Sequence, residues 1–176
     1  MSLPPSYNLL EKFPNMNYIE TGCWHGDSMD RAYFSRAFDL MCGIESDKEM
    51  YDFCVCRFDG RKNVRFILGD SAVSMHEALN TIVYPATIFL DAHDSLIEGE
   101  KKHPNRFPLF QELHAISLHH VKQHTIIVDD ILHLTHPDVT GWNKKMIEDA
   151  LLKINPKYKL EYIANPIINN MLIATV

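Results

Sequence analysis

Short runs of Ile, Val, Leu and Phe recur along the chain, each closed by an acidic or small residue. Between them lie longer stretches whose apolar residues fall three and four apart, the spacing of one helix face. The pattern predicts strands at Asn17–Thr21, Leu40–Glu45, Val64–Leu68, Ala86–Leu90 and Thr125–Val128. It predicts helices at 27–39 with Asp27 or Ser28 as cap, at 47–58 ended by Asp59-Gly60, and at 71–82 capped by Ser71. Residues 92–107 read as a long irregular stretch, after which Pro108 opens a helix to about Lys122. Asn143 caps a last helix with Met146, Ile147, Ala150, Leu151 and Ile154 on one face. Two final runs, Lys159–Ala164 and 171–176, stand so close together that they must pair antiparallel, because a parallel return needs a crossover.

Strands alternating with helices imply a doubly wound α/β sheet with helices on both faces and right-handed crossovers. The expected architecture is seven-stranded and mostly parallel, with a C-terminal antiparallel hairpin. No repeat, low-complexity tract or linker interrupts the pattern, so residues 1–176 are expected to form one domain. Ligands of such sheets bind beyond the carboxyl ends of the strands, where strand order reverses. The residues that follow each strand are therefore the ones to read for chemistry.

Strand one runs into Glu20-Thr21-Gly22-Cys23-Trp24-His25-Gly26-Asp27-Ser28. Gly22 and Gly26 let the backbone turn sharply and approach a ligand, and the helix that follows offers free N–H groups. A plain strand-to-helix turn also favours glycine. Trp24 stands where a dinucleotide fingerprint needs a glycine, which argues against that cofactor class. Glu45 ends strand two, about 20 residues beyond the turn, where an acid can accept both hydroxyls of a ribose. Asp70 and Ser71 follow strand three and offer polar groups to a purine, although a helix cap explains Ser71 as well. Asp91 and His93 follow strand four, and Asp129 and Asp130 follow strand five. Carboxylates brought together at neighbouring strand ends repel unless a cation or proton lies between them. Oxygen-only ligation by Asp91, Asp129 and Asp130 suits Mg²⁺ or Ca²⁺.

Composition narrows the field without choosing within it. Hydrophobic content of 46% and charged content of 23% are those of an ordinary globular chain. A formal net charge of -6 argues against general affinity for nucleic acid. No apolar run approaches the ~20 residues needed to span a bilayer, and the start of the chain lacks a basic-then-apolar leader pattern. A cytoplasmic protein is the expectation. Cys23, Cys42, Cys54 and Cys56 form no C-x-x-C pair and are expected to be reduced.

Taken together, these elements resemble the class I S-adenosylmethionine-dependent methyltransferases from Asn17 to Val176. The turn Gly22-Cys23-Trp24-His25-Gly26-Asp27-Ser28 looks like that of the catechol and caffeoyl-CoA O-methyltransferase group. That group binds Mg²⁺ or Ca²⁺ through an Asp after strand four and an acidic-amide pair after strand five. Asp91, Asp129 and Asp130 match those places, with Asp130 standing for an Asn. The chain also resembles FkbM-like and sugar-modifying bacterial methyltransferases, through Asp91-Ala92-His93 and the P-x-x-x-E-L run that begins at Pro108.

The resemblance implies a Rossmann-like methyltransferase fold and S-adenosylmethionine as cofactor. It implies that Glu20, Gly22 and Gly26 pass near the methionine moiety and that Cys23, Trp24 and Asp91 also bind the cofactor. Ser28 would contact its carboxylate end, Glu45 the ribose, and Asp70 and Ser71 the adenine. The expected reaction is O-methyl transfer to a small hydroxylated or sugar-type acceptor, assisted by a metal at Asp91, Asp129 and Asp130. His93 would act either as base or as a group that orients Asp91. Two departures stand out. The catechol enzymes carry a base lysine where this chain has Asp94, and only about 16 residues precede strand one, too few for the group's helical substrate cover. The acceptor pocket is then expected from residues 92–107 or from a second subunit of a homodimer. A non-catalytic binding domain of the same fold, or a metal-dependent hydrolase using the aspartates, also accounts for part of the pattern.

Overall fold

The computed structural model describes residues 7–93, 106–164 and 169–176. It contains a seven-stranded sheet flanked by helices. The strands are β1 (Asn17–Thr21), β2 (Leu40–Glu45), β3 (Val64–Leu68), β4 (Ala86–Leu90), β5 (Thr125–Val128), β6 (Lys159–Ala164) and β7 (Asn169–Thr175). They lie in the order β3-β2-β1-β4-β5-β7-β6. β1 to β5 are parallel, and β7 runs antiparallel between β5 and β6. Strand order reverses between β1 and β4, so the crevice that such a sheet offers a ligand opens at their carboxyl ends.

Alternation along the central strands explains why they hold the middle of the sheet. Ile19, Ile88 and Ile126 face one apolar layer, while Tyr18, Phe89 and Ile127 face the other. Every residue of β1, β4 and β5 is buried, as expected for parallel strands covered on both sides. The first layer is closed by α4 (Ser71–Leu79), α5 (Leu109–Leu118) and α7 (Lys144–Ile154), through residues such as Met75, Leu113 and Leu151. The second is closed by α1 (Tyr7–Lys12) and α2 (Asp27–Ser35), with Phe58 from the end of α3 (Lys48–Arg57). A single-turn helix, α6 (Ile131–Leu134), follows β5.

Several boundaries differ from the pattern-based expectation. α2 stops at Ser35 because Arg36 turns left-handed, φ 56°, and caps it. α4 ends at Leu79, and α5 ends at Leu118, where His119 takes up extended backbone. Asp70, not Ser71, caps α4 by accepting from the Ala72 amide. Neither Asp27 nor Ser28 caps α2, whose N-terminal cap is the left-handed Gly26. The segment before β1 is not featureless, since α1 buries Leu9 and Leu10 in the second layer. All four cysteines are free, and Cys54 is buried while Cys56 is exposed, so their side chains diverge. No helix among the described residues is long and apolar enough to cross a membrane.

At the amino ends of β4 and β5 a pair of imidazoles replaces apolar packing. His124 is sealed from solvent, its Nδ1 accepts from the Ala86 amide at 3.0 Å, and its Nε2 lies 3.0 Å from His119 Nδ1. With Nδ1 accepting, the proton sits on Nε2 and is donated to His119. Burial, then the neighbouring His119 and Lys122, pull the His124 pKa down to about 4. Its folded pKa is therefore below the unfolded value, and the unfolded chain takes up the proton first as pH falls. Stability should be intact above about pH 6.5 and should decline towards pH 4, by up to about 3 kcal/mol from this group. His124→Asn keeps an acceptor for Ala86 and cannot protonate. Urea melts at pH 7.5 and 4.5 should show a smaller pH-dependent loss for the variant than for the wild type. An equal loss in both would show that this pair does not set the acid sensitivity.

Candidate functional site

The turn after β1 is forced into left-handed backbone at three places: Gly22 (φ 73°), Trp24 (φ 50°) and Gly26 (φ 77°). Gly22 passes so close to the end of β4 that an added Cβ would lie 2.6 Å from the Asp91 carbonyl oxygen. Both the backbone conformation and the contact exclude a side chain there. Its amide donates to Ile44 on β2, so the turn is pinned between its two parallel neighbours.

Glu20 lies beneath this turn. Its carboxyl is fully buried, with Tyr18 Oη donating to Oε2 at 3.1 Å and Ser28 Oγ donating to Oε1 at 2.5 Å. Burial raises its pKa to about 8, against the opposing pull of the Ser28 and Tyr18 hydrogen bonds. Glu20 and Ser28 thus tie β1 to α2 and satisfy each other. Cys23 is likewise buried, its thiol set against the carbonyls of Glu20 and Ile44. Trp24 is the exposed member of the turn. Its ring makes an edge contact with His25, which makes another with Phe53 of α3.

Glu45 ends β2 beside this turn. Its two carboxylate oxygens accept from the Trp24 and Asp47 amides, both at 2.8 Å. These bonds fix the carboxylate, and each oxygen keeps a further lone pair for a ligand hydroxyl. Asp70 is turned to its capping role, and Ser71 is buried at the start of α4.

The ends of β4 and β5 bring a second group together. Asp91, His93 and Asp130 each offer a ligand atom, and these atoms all lie within 4.8 Å of one another. His93 Nε2 donates to Asp130 Oδ2 at 2.9 Å, and Nδ1 lies 3.6 Å from Asp91 Oδ1. Burial alone would lower the His93 pKa, but the Asp130 hydrogen bond and the Asp91 and Asp130 charges outweigh it and raise the value. For Asp130, burial is likewise overcome by His93, and its pKa falls. Asp129 does not belong to the converging set. It is sealed, its Oδ1 accepts from the Asp130 amide at 2.8 Å, and burial followed by the Asp130 charge pushes its pKa up.

Two site residues had no assigned role in the sequence. Asn170 on β7 donates to Asp130 Oδ1 at 2.6 Å and accepts from the Leu132 amide, fixing an aspartate that has left-handed backbone. An Asn-Asn pair at a hairpin reads only as turn chemistry, so no local signal points to this contact. Glu112 on α5 is 1% exposed in a helix that otherwise reads as apolar, and burial first raises its pKa to about 7. Glu112 is the acid of the P-x-x-x-E-L run that begins at Pro108, and that run was the available signal. Asp94, and most of the loop expected to wall the acceptor pocket, lie outside the described residues.

No family model matches the sequence, and no curated protein matches it. Solved structures do. An O-methyltransferase from Bacillus cereus, in complex with S-adenosylhomocysteine, aligns over 97% of this chain and 78% of its own, with a TM-score of 0.63 and 11% identity. A structure from Staphylococcus aureus assigned as a caffeoyl-CoA O-methyltransferase covers 96% and 79%, with a TM-score of 0.62 and 18% identity. The chain has the class I methyltransferase fold. A spermidine synthase aligns equally well, with a TM-score of 0.62 and 12% identity over 92% of this chain and 55% of its own. The architecture therefore admits more than one transfer reaction, and the site must supply the rest of the argument.

Glu20 makes its own prediction. Its folded pKa is above the unfolded carboxylate value, so the folded state resists losing the proton that the unfolded chain gives up. Stability should fall as pH rises from about 4.5 to about 8, by an amount on the order of a few kcal/mol. Glu20→Gln mimics the neutral acid and should be more stable than the wild type at pH 9, with a smaller difference at pH 5. Thermal melts at the two pH values measure this. A variant destabilised equally at both would mean that the buried carboxyl is ionised.

Proposed function

We propose that the protein transfers a methyl group from S-adenosylmethionine to a hydroxyl of a small acceptor. The observation that carries this reading is the meeting of Asp91, His93 and Asp130 at the ends of β4 and β5, next to the turn at Gly22. A cofactor end and a reactive end then share one crevice. Gly22 and the helix start that follows Gly26 suit the amino-acid portion of the donor, and Glu45 suits its ribose hydroxyls.

Methyl transfer is an in-line displacement at a sulfonium carbon, and the sulfur leaves neutral. The protein therefore needs no acid for the leaving group. Its tasks are to align acceptor oxygen, methyl and sulfur, and to accept the acceptor's proton. His93 is the group for that proton. Asp91 and Asp130 flank its two ring nitrogens and stabilise the imidazolium formed when it takes one up. Asn170 and the Asp130 hydrogen bond hold the ring in place.

A divalent cation also fits the chemistry of this donor set. Two carboxylates with one imidazole suit Mn²⁺, Fe²⁺ or Zn²⁺, whereas the all-oxygen set of Asp91, Asp129 and Asp130 would favour Mg²⁺ or Ca²⁺. Asp91, His93 and Asp130 would hold the ion, which when bound would lower the pKa of an acceptor hydroxyl; a ring nitrogen that ligates it takes up no proton, so this arrangement would be the alternative to His93 acting as base.

Calorimetric titration with S-adenosylmethionine, with and without Mn²⁺ or Mg²⁺, should show saturable one-site binding of the donor. A hydroxylated-substrate panel should then yield turnover. His93→Ala should reduce turnover about 10²- to 10⁴-fold and leave donor affinity within about twofold. Absence of donor binding sinks the proposal. Donor binding without turnover on any substrate would favour a non-catalytic binding domain, and ester or phosphate cleavage without the donor would favour a hydrolase.

A further inference from the structure

A cavity lies at the other end of the sheet, away from all the chemistry above. It has a volume of about 120 Å³ and sits between the amino ends of β2 and β3 and the segment that leaves α4. The crevice opens at the carboxyl ends, so the length of β2, about 17 Å, separates the two. Its lining is unequal. Met41, Cys42 and Ile82 form a floor and are buried. Leu40, Lys62 and Arg65 form a rim and are exposed.

The rim is positive on a chain whose formal net charge is -6. No lining residue is acidic, and among the described residues neither Lys62 nor Arg65 takes part in an ion pair. Glu77, one turn before Thr81, is an acid felt at Cys42, but it is exposed and stands outside the lining. Arg65 is held in place. Its Nη2 donates to Thr81 Oγ1 at 2.9 Å, and the Thr81 hydroxyl donates in turn to the Ala78 carbonyl. A guanidinium has five N–H donors, so most remain for a ligand. Burial pushes the Cys42 thiol up, against the pull of Arg65, so it stays neutral and leaves the positive charge in place.

An apolar floor under a cationic rim fits a ligand built the same way. An apolar cavity of roughly 150 Å³ holds benzene, so this one suits a compact body of about four to six carbon atoms. The rim calls for an anion, and a planar carboxylate matches a guanidinium fork with two parallel bonds. Phosphate would leave the floor unfilled.

We propose that this cavity binds a small apolar monocarboxylate, its hydrocarbon body on Met41, Cys42 and Ile82 and its carboxylate on Arg65 and Lys62. The site is separate from the crevice and does not rest on the methyl-donor reading.

The test titrates the intact, isotope-labelled protein with isovalerate at neutral pH and follows the backbone amide resonances. Saturable shifts are expected at Met41, Arg65 and Ile82, with Gly22 and Asp91 unmoved. The dissociation constant should be about 1 mM or tighter for a ligand of this size. Isoamyl alcohol keeps the body without the charge, and acetate keeps the charge without the body. Each should bind at least about tenfold more weakly, and inorganic phosphate should behave like acetate. Arg65→Met should weaken isovalerate about tenfold, and Lys62→Met, which alters an exposed side chain, about threefold. Thermal melts report that both variants fold. Absence of saturable binding, an alcohol or phosphate that binds as tightly as isovalerate, or shifts centred away from the lining overturns the proposal. So does a folded Arg65→Met of unchanged affinity. If that variant does not fold, unchanged affinity in Lys62→Met overturns it instead.

Discussion

The whole crevice depends on how closely β1 can end against β4. Gly22 sits where any side chain would overlap the Asp91 carbonyl, and its left-handed backbone turns the chain back over the sheet. That approach keeps β1 in parallel register with both neighbours up to its last residue. It also sets the start of α2 and the ends of β2 and β4 around a single point. A bulkier residue would push the turn outward and separate the groups that the fold gathers.

Two buried hydrogen-bond systems hold this arrangement from below and from the side. Beneath the turn, Tyr18 and Ser28 close on Glu20 and join β1 to α2. Beside it, Glu45 accepts from Trp24 and Asp47 and joins β2 to the same turn. Neither carboxyl is replaceable by an apolar group without leaving donors unsatisfied, which costs more than the bonds contribute. On the far side Asn170, from the antiparallel hairpin, orients Asp130 toward His93. The hairpin is therefore part of the site as well as the cover of β5.

The strands and the residues at their ends were legible because strand length, period and terminal residues are local properties. Glycines at 22 and 26, an acid at 45, and aspartates at 91 and 130 stand at the strand ends that line the crevice. Helix ends were less legible. Arg36 and His119 stop helices whose apolar spacing continues, because packing decides the last turn and spacing alone does not. α1 and α6, of six and four residues, are too short for a helical period to register.

By itself the sequence determined the alternation of elements, the antiparallel hairpin and the strand ends where chemistry would gather. Each follows from a period of two or of about 3.6 and from the restricted backbone choices of particular residues. Only the tertiary structure decided what each polar group faces. It turned Glu20 and Ser28 inward to each other, replaced Asp129 by His93 in the converging set, and brought Asn170 and Glu112 to the crevice from β7 and α5. Contacts of that kind join residues tens of positions apart. Their direction depends on strand register and helix rotation, which no local pattern records.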